Sequence, residues 1–246
     1  MRWERRTTPF GTFAGITTAT LGPAAAAKFG TGHRVIISPD AEWLTSLIDR
    51  IERNHTVRRR LTVVADNSGV IRDGRFIIAR RAELGARSPG PLREASVRLT
   101  APIRHVLNLA ATPQRFDVLA EHLCQRFPDA GADRVHRLLH GLIDGGFLIT
   151  GLRPASTVPD PLHHLIQTLH AAGVHNLTEP EVTGMLDRLE DIHASIVQHN
   201  TTAAPAPALR TQIVGRMREL ATVTGPALAV DLQLNAHITL PEPVLA

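Results

Sequence analysis

Apolar residues along the chain fall into two spacings, one typical of helices and one typical of strands. After Asp40 they recur every three or four residues, which predicts a helix: Trp43, Leu44, Leu47, Ile48 and Ile51. The β-branched runs on either side, VIIS before this helix and LTVVAD (61–66) after it, predict strands. Asp73-Gly74 then separates two further β-branched runs, which is a strong hairpin signal.

Three helical patterns follow a further predicted strand, ASVRLT (95–100). They are PIRHVLNLA (102–110), RFDVLAEHLCQRF and ADRVHRLLHGLIDGG. Gly145-Gly146 ends the last pattern, because glycine readily takes the left-handed conformation at a helix C-terminus. FLIT predicts a closing strand. Strands, three helices and a closing strand are the layout of a winged helix.

The two ends of the chain carry weaker patterns. Residues 11–32 are small, polar and punctuated by glycine, which predicts a strand or two with turns. After a proline-punctuated linker at 154–161 come two amphipathic helices, a connector TTAAPAPALR, a further helix RTQIVGRMRELA and two strand-like runs. We therefore predict an α+β fold of mixed strands and helices with an embedded winged-helix subdomain.

Composition narrows the class of protein. The chain has 246 residues, 43% of them hydrophobic, and the one lysine is Lys28, so its basic charge is almost all arginine. Arginine suits phosphate and carboxylate recognition, although a net charge of +4 permits a nucleic-acid partner without requiring one. The single cysteine, Cys124, excludes a disulfide framework and fits a reducing cytosol. No apolar run approaches the ~20 residues of a membrane helix.

Standard catalytic signatures are missing from the sequence. It has no P-loop, HExxH, GxSxG or dinucleotide fingerprint. His136 and His140 lie one helical turn apart and share a face, but the sequence places no third ligand beside them. We therefore predict no metal site.

The opening stretch, RWERRTTPFG, concentrates candidate chemistry. If residues 1–6 end a helix, Arg2 and Arg6 share one face, while Thr8 is held extended by Pro9. Two guanidinium groups and a hydroxyl would then form an anion cradle. A solvated helix end followed by a tight turn explains the same residues, and these residues alone leave both interpretations open.

A family resemblance favours the first interpretation. The pattern R-x-x-x-R-x-T-P-F-G-x-F-A-G resembles the signature of the lantibiotic dehydratase N-terminal domain. The stretches ASVRLTAPIRHVLNLAATPQRFDVLAEHL, VHRLLHGLIDGGFLITGLRP and VDLQLNAHITLP match that family in order and spacing. The resemblance therefore extends over essentially the whole chain.

The resemblance implies a tRNA-dependent reaction. Similar proteins transfer glutamate from glutamyl-tRNA, a co-substrate rather than a cofactor, to Ser and Thr of a ribosomal precursor peptide, and a second domain eliminates it to leave dehydroamino acids. By position, the catalytic residues here would be Arg2, Arg6, Thr8 and Asp231, with Asp40 a weaker match.

The resemblance also assigns a role to the winged helix, which would capture the leader of the precursor peptide. The leader adds as a strand to 95–100 and packs against the helix at 132–143. The residues expected to bind it are Val97, Arg98, Leu99, Arg134 and Leu138, with Arg137 as a further basic contact. A winged helix also suggests DNA binding, but the family-like sequence on both sides of it favours binding of a leader peptide.

Three parts follow from this interpretation. Residues 1–60 are a piece of the glutamylation core with the opening motif, 61–153 the winged-helix recognition element, and 154–246 a helical segment with strands returning to the core. The chain resembles an internal slice of the family, so strands at 230–234 and 238–240 are expected to lack neighbours. Three alternatives remain open: one part of a split cytoplasmic enzyme, with a partner chain supplying the rest; a truncated relic that retains leader binding; or a chain whose start codon is wrongly assigned.

Overall fold

The computed structural model describes residues 15–80, 93–202 and 207–241. Within these ranges the strands are β1 (Gly15–Ile16), β2 (Ala19–Gly22), β3 (Ala26–Phe29), β4 (Arg34–Pro39), β5 (Thr62–Ala65), β6 (Val70–Arg72), β7 (Arg75–Arg80), β8 (Arg93–Arg98), β9 (Gln114–Arg115), β10 (Leu148–Thr150), β11 (Leu228–Gln233) and β12 (Ala236–Pro241). The helices are α1 (Ala41–Glu52), α2 (His55–Arg58), α3 (Ala101–Leu109), α4 (Phe116–Arg126), α5 (Ala132–Asp144), α6 (Pro161–Ala171), α7 (Pro180–Thr201) and α8 (Pro207–Leu220). The α+β prediction is confirmed.

The two C-terminal strands are central strands, not orphans. β11 pairs with β1 in parallel and with β4 antiparallel, while β12 lies between β2 and β3. The expectation that 230–234 and 238–240 lack neighbours is therefore wrong. The physical reason is that the glycine-punctuated stretch after the opening motif forms three short strands, which supply the missing partners.

One hydrophobic cluster packs α1, α6, α7 and α8 against β4 and β11. Trp43 is fully buried in this cluster, and its indole Nε1 donates a hydrogen bond to the Met217 carbonyl at 2.9 Å. The pairing satisfies the polar end of the ring, so its apolar surface is buried without an orphaned donor.

A second hydrophobic cluster packs α3, α4 and α5 against β5, β7 and β10. Val106, Phe116 and Leu139 are fully buried in it. β5 lies between β10 and β9, and β7 lies between β6 and β8. The turn between β6 and β7 has Asp73 at φ 50° and Gly74 at φ 69°, the left-handed pair that a two-residue hairpin requires.

Three local features differ from the sequence prediction. α8 begins at Pro207, inside the segment TTAAPAPALR that was expected to be a connector, because proline is well suited to the first turn of a helix. α2 and β9 are too short to produce a hydrophobic period, and neither was predicted. α2 is stabilised by Asn54, whose side chain accepts hydrogen bonds from the backbone N–H groups of Thr56 and Val57.

Candidate functional site

Asp231 lies in the middle of β11, half-buried and opposite Ile36 of β4. On the other side of β11, Leu232 pairs with Gly15, the first residue of β1. Gly15 therefore lies one register position beyond Asp231, which precedes Leu232 along β11. The sheet thus joins the end of the opening-motif segment to the strand that carries the predicted carboxylate.

The other predicted catalytic residues of the opening motif, Arg2, Arg6 and Thr8, lie outside the described residues. Asp40 has a structural role as the N-cap of α1. Its Oδ1 accepts from the Glu42 N–H at 2.8 Å, and its own N–H donates to the Ala227 carbonyl at 2.8 Å. Asp231 pairs with a residue four positions before Asp40, which corresponds to about 13 Å along the strand. The structure therefore does not bring these two carboxylates together.

The predicted leader-binding strand is an edge strand in the described part of the chain. β8 pairs with β7 on one side only. Val97 and Leu99 are half-buried against the second hydrophobic cluster, and Arg98 between them is exposed. The alternation leaves one face of β8 packed and the other in solvent.

The backbone register shows which groups of β8 face the free edge. The N–H of Leu99 donates to the Gly74 carbonyl at 2.8 Å, so Leu99 and Gly74 form a hydrogen-bonded pair. Hydrogen-bonded and non-hydrogen-bonded pairs alternate in an antiparallel ladder. Ser96 and Arg98 therefore point their backbone N–H and C=O groups away from β7.

α5 supplies the two helical residues of the predicted leader site. Leu138 is half-buried and packs against the same hydrophobic cluster as Val97 and Leu99. Arg134 is exposed. Arg137, the further basic candidate, is exposed and lines a separate cleft between α2 and α5.

This cleft has a volume of about 490 Å³ and was not predicted from the sequence. Its lining residues come from α2, the residue after it, and one face of α5: His55, Arg59, Asp133, His136, Arg137, His140, Gly141 and Asp144. The basic run RNHTVRRR, residues 53–60, was the available sequence signal. Nothing in that run indicates that α5, some eighty residues further on, completes the cleft.

A buried arginine connects the floor of the cleft to α5. Arg58 is 4% exposed; its Nη1 lies 3.3 Å from His140 Nδ1, and its Nη2 lies 2.8 Å from Asp144 Oδ1. A guanidinium only donates, so His140 Nδ1 is the acceptor and the imidazole proton is on Nε2. Burial, with the positive charges of His55, Arg58 and Arg59, lowers the pKa of His140 to about 4.

These contacts argue against metal binding by the predicted histidine pair. The Nδ1 lone pair of His140 is already occupied by Arg58, and its Nε2 is buried. In the described residues no group of three or more His, Cys, Asp or Glu side chains is placed to hold a metal ion. None of the helices described here is long and apolar enough to cross a membrane.

The chain belongs to a known family. A family model described as "Lantibiotic dehydratase, N terminus" matches residues 1–246. The chain is 26% identical over 236 residues to the subtilin biosynthesis protein SpaB of Bacillus subtilis, covering 95% of this chain and 21% of that protein. The family resemblance drawn from the opening motif is confirmed.

Two structures show the same fold. The tRNA-dependent lantibiotic dehydratase MibB from Microbispora sp. 107891 superposes with a TM-score of 0.77 and 30% identity, covering 97% of this chain and 23% of that one. The glutamylation domain of TbtB, from thiomuracin biosynthesis, superposes with a TM-score of 0.60 at 18% identity. The chain therefore spans less than a quarter of the length of SpaB and of MibB.

Proposed function

We propose that this chain is part of a domain that transfers glutamate from glutamyl-tRNA to Ser and Thr of a precursor peptide. The pairing of β1 with β11 is the observation that carries the proposal, because it joins the end of the motif segment of Arg2, Arg6 and Thr8 to the strand of Asp231. The proposal is supported by the names of two proteins with this fold, a tRNA-dependent dehydratase and a glutamylation domain.

The catalytic set is proposed to act on an anionic substrate. Two guanidinium groups can bind carboxylate or phosphate oxygens in a fork, which suits a glutamyl ester at the end of a tRNA. Asp231 is proposed to hold or accept a proton at the reacting groups. Glutamyl-tRNA is a co-substrate in this scheme, which assigns no cofactor to the chain.

Comparison of Asp231→Asn with Asp187→Asn tests the catalytic assignment. Asp187 is an exposed carboxylate on α7 and serves as the matched control. Each variant is assayed together with a polypeptide that supplies the remaining family segments, using glutamyl-tRNA and a precursor peptide that carries a leader. Asp231→Asn is expected to slow glutamyl transfer about a hundredfold and the control less than twofold. Equal rates for the two variants contradict the assignment.

The leader peptide is proposed to extend the sheet at β8. Ser96 and Arg98 present outward backbone N–H groups, although their carbonyls already accept from the Arg75 side chain and the Thr100 N–H. Val97, Leu99 and Leu138 provide apolar surface from the same cluster. Strand addition uses both features, since main-chain hydrogen bonds provide affinity and side-chain pockets provide specificity. The winged-helix shape and the boundaries 61–153 belong to this proposal.

Proline substitution on either edge of the sheet tests this docking mode. Ser96→Pro removes an outward N–H from β8, and Ile71→Pro removes one from β6, the opposite edge. We expect Ser96→Pro to weaken leader binding five- to tenfold, the effect of about one lost hydrogen bond. Binding is measured by fluorescence anisotropy of a labelled leader. If only Ile71→Pro weakened leader binding, the leader would dock on β6 and the proposal for β8 would be wrong.

We place the reaction in the cytoplasm, where charged tRNA is available. Cys124, a free thiol, is compatible with a reducing compartment. The missing segments are proposed to come from a further part of the same polypeptide or from a partner chain. A leader-binding relic would bind the leader equally well but would leave the precursor peptide unmodified in the complemented assay.

A further inference from the structure

The cleft between α2 and α5 has no role in the leader site or in the proposed catalytic set. It lies between α2 and α5, and His140 connects it to Phe116 of the second hydrophobic cluster. Gly141 leaves the backbone of α5 bare there, since no atom lies within 4 Å of where a Cβ would stand. A volume of about 490 Å³ is within the range of small-molecule sites and would admit one nucleotide.

Aromatic rings form one wall of this cleft. The exposed imidazole of His55 stacks on His140, with ring centroids 4.1 Å apart and planes inclined by 14°. His140 in turn lies 5.0 Å from the ring of Phe116 in the core. Because His140 covers one face of His55 and is itself fixed by Arg58, the pair is a rigid platform on which a flat base could stack.

Two guanidinium groups lie in the same cleft. Arg59 and Arg137 are both exposed, and neither forms an ion pair with any side chain in the described ranges. The cleft also contains two carboxylates. Asp144 forms an ion pair with Arg58, while Asp133 is exposed and its negative charge acts against that of Arg59. Burial, and after it the charge of Arg59, lowers the pKa of His136, while Asp133 raises it.

We propose that this cleft binds an unpaired nucleotide of the tRNA, with the base against His55 and the phosphates held by Arg59 and Arg137. The assignment rests on the proposed function, in which the chain uses glutamyl-tRNA as a co-substrate. Stacking rings with arginine forks are the combination that recognises single-stranded RNA. An acidic peptide would use the guanidinium groups but would leave the ring platform without a partner.

RNA binding by two double variants tests the proposal. An unacylated tRNA-Glu transcript is titrated with the chain and followed by fluorescence anisotropy. Arg59→Gln with Arg137→Gln removes both cleft cations, and Arg72→Gln with Arg126→Gln removes two exposed cations elsewhere. We expect the cleft variant to lose at least about tenfold in affinity and the control about twofold. The slope of log K against log salt should fall by about 1.4 in the cleft variant, from two phosphate contacts of about 0.7 each.

His55→Ala provides a second readout that leaves both cleft arginines in place. Loss of one stacked base is expected to weaken binding by about fivefold or more. Circular dichroism of each variant verifies that the fold is retained.

Several results would overturn the proposal. The first is an equal loss of RNA affinity in the two double variants. The second is that the wild-type chain does not bind the transcript. The third is that the cleft variant binds the labelled leader more weakly while its RNA affinity is unchanged. Failure here is distinct from failure of the proposed function. If the complemented chain adds glutamate while the cleft variant keeps its RNA affinity, only the cleft assignment fails. If cleft-dependent RNA binding holds but no glutamate is added, the proposed function fails instead.

Discussion

Protonation of His140 should make this protein acid-sensitive. The imidazole is 7% exposed and accepts a hydrogen bond from Arg58, so a proton on Nδ1 would break that bond and add a charge beside a guanidinium. Its pKa is lowered from 6.5 to about 4 in the folded protein. The unfolded chain therefore binds this proton more readily, and the stability that neutral His140 provides is present in full above about pH 6.5 and is lost as pH falls towards 4.

The size of the effect follows from the pKa difference. One pKa unit corresponds to about 1.4 kcal/mol, so the full difference amounts to about 3 kcal/mol. Between pH 7 and pH 4.5 the folded state should lose about 2 kcal/mol through this one group. That is a large part of the stability of an ordinary domain.

His140→Asn isolates this contribution. The Oδ1 of asparagine can take the place of Nδ1 as the acceptor from Arg58, but it does not titrate. We expect the difference in unfolding free energy between pH 7 and pH 4.5 to be about 2 kcal/mol smaller in this variant than in the wild type. The assay is urea unfolding followed by circular dichroism at both pH values. His237→Gln, at an exposed position on β12, is the control. Parallel pH profiles for wild type and His140→Asn would refute the reasoning.

Two further predictions concern stability. The Asn200 side chain accepts from the Ile37 N–H at 2.9 Å and donates to the Ile37 carbonyl at 2.8 Å, so Asn200→Ala should lower the unfolding free energy by about 2 kcal/mol. Asn108→Ala, at an exposed position, is the control in urea unfolding. Equal losses in the two variants would contradict the stabilising role of these two hydrogen bonds. Gly146 has φ 77°, so Gly146→Ala should destabilise by about 1 kcal/mol. Gly141→Ala, inside α5 with open space around it, should instead stabilise by up to about 1 kcal/mol, and thermal unfolding that ranks the two glycine variants the other way would contradict this.

The helices were accessible from sequence because their apolar faces repeat over several turns. α1 and α5 each bury five or more side chains at helical spacing, and tertiary packing did not override that signal. The hairpin of β6 and β7 was equally clear, since Asp73-Gly74 is a turn signal that depends only on neighbouring residues.

The sheets were not accessible in the same way. β1, β2 and β3 are short and mostly exposed, and their partners β11 and β12 lie at the other end of the chain. Hydrophobic periodicity carries no information about such non-local pairing. For the same reason the opening motif and Asp231 were linked by family resemblance, while the pairing of Gly15 with the strand of Asp231 is a result of the structure.

The cleft shows a further limit of sequence reasoning. His136 and His140 stood out as a helical pair that shares one face, and the sequence placed no third ligand beside them. The structure instead gives His140 a partner, Arg58, from a four-residue helix that has no detectable period. Spacing within one helix can identify a shared face, but it cannot show what lies opposite that face.

The most direct test of the central claim is the intact mass of a precursor peptide after incubation with glutamyl-tRNA and this chain. We predict mass gains of whole glutamyl adducts when the remaining family segments are supplied, and an unchanged mass with the chain alone. An unchanged mass in the complemented reaction, with folded protein and charged tRNA verified, would contradict the proposed glutamyl transfer.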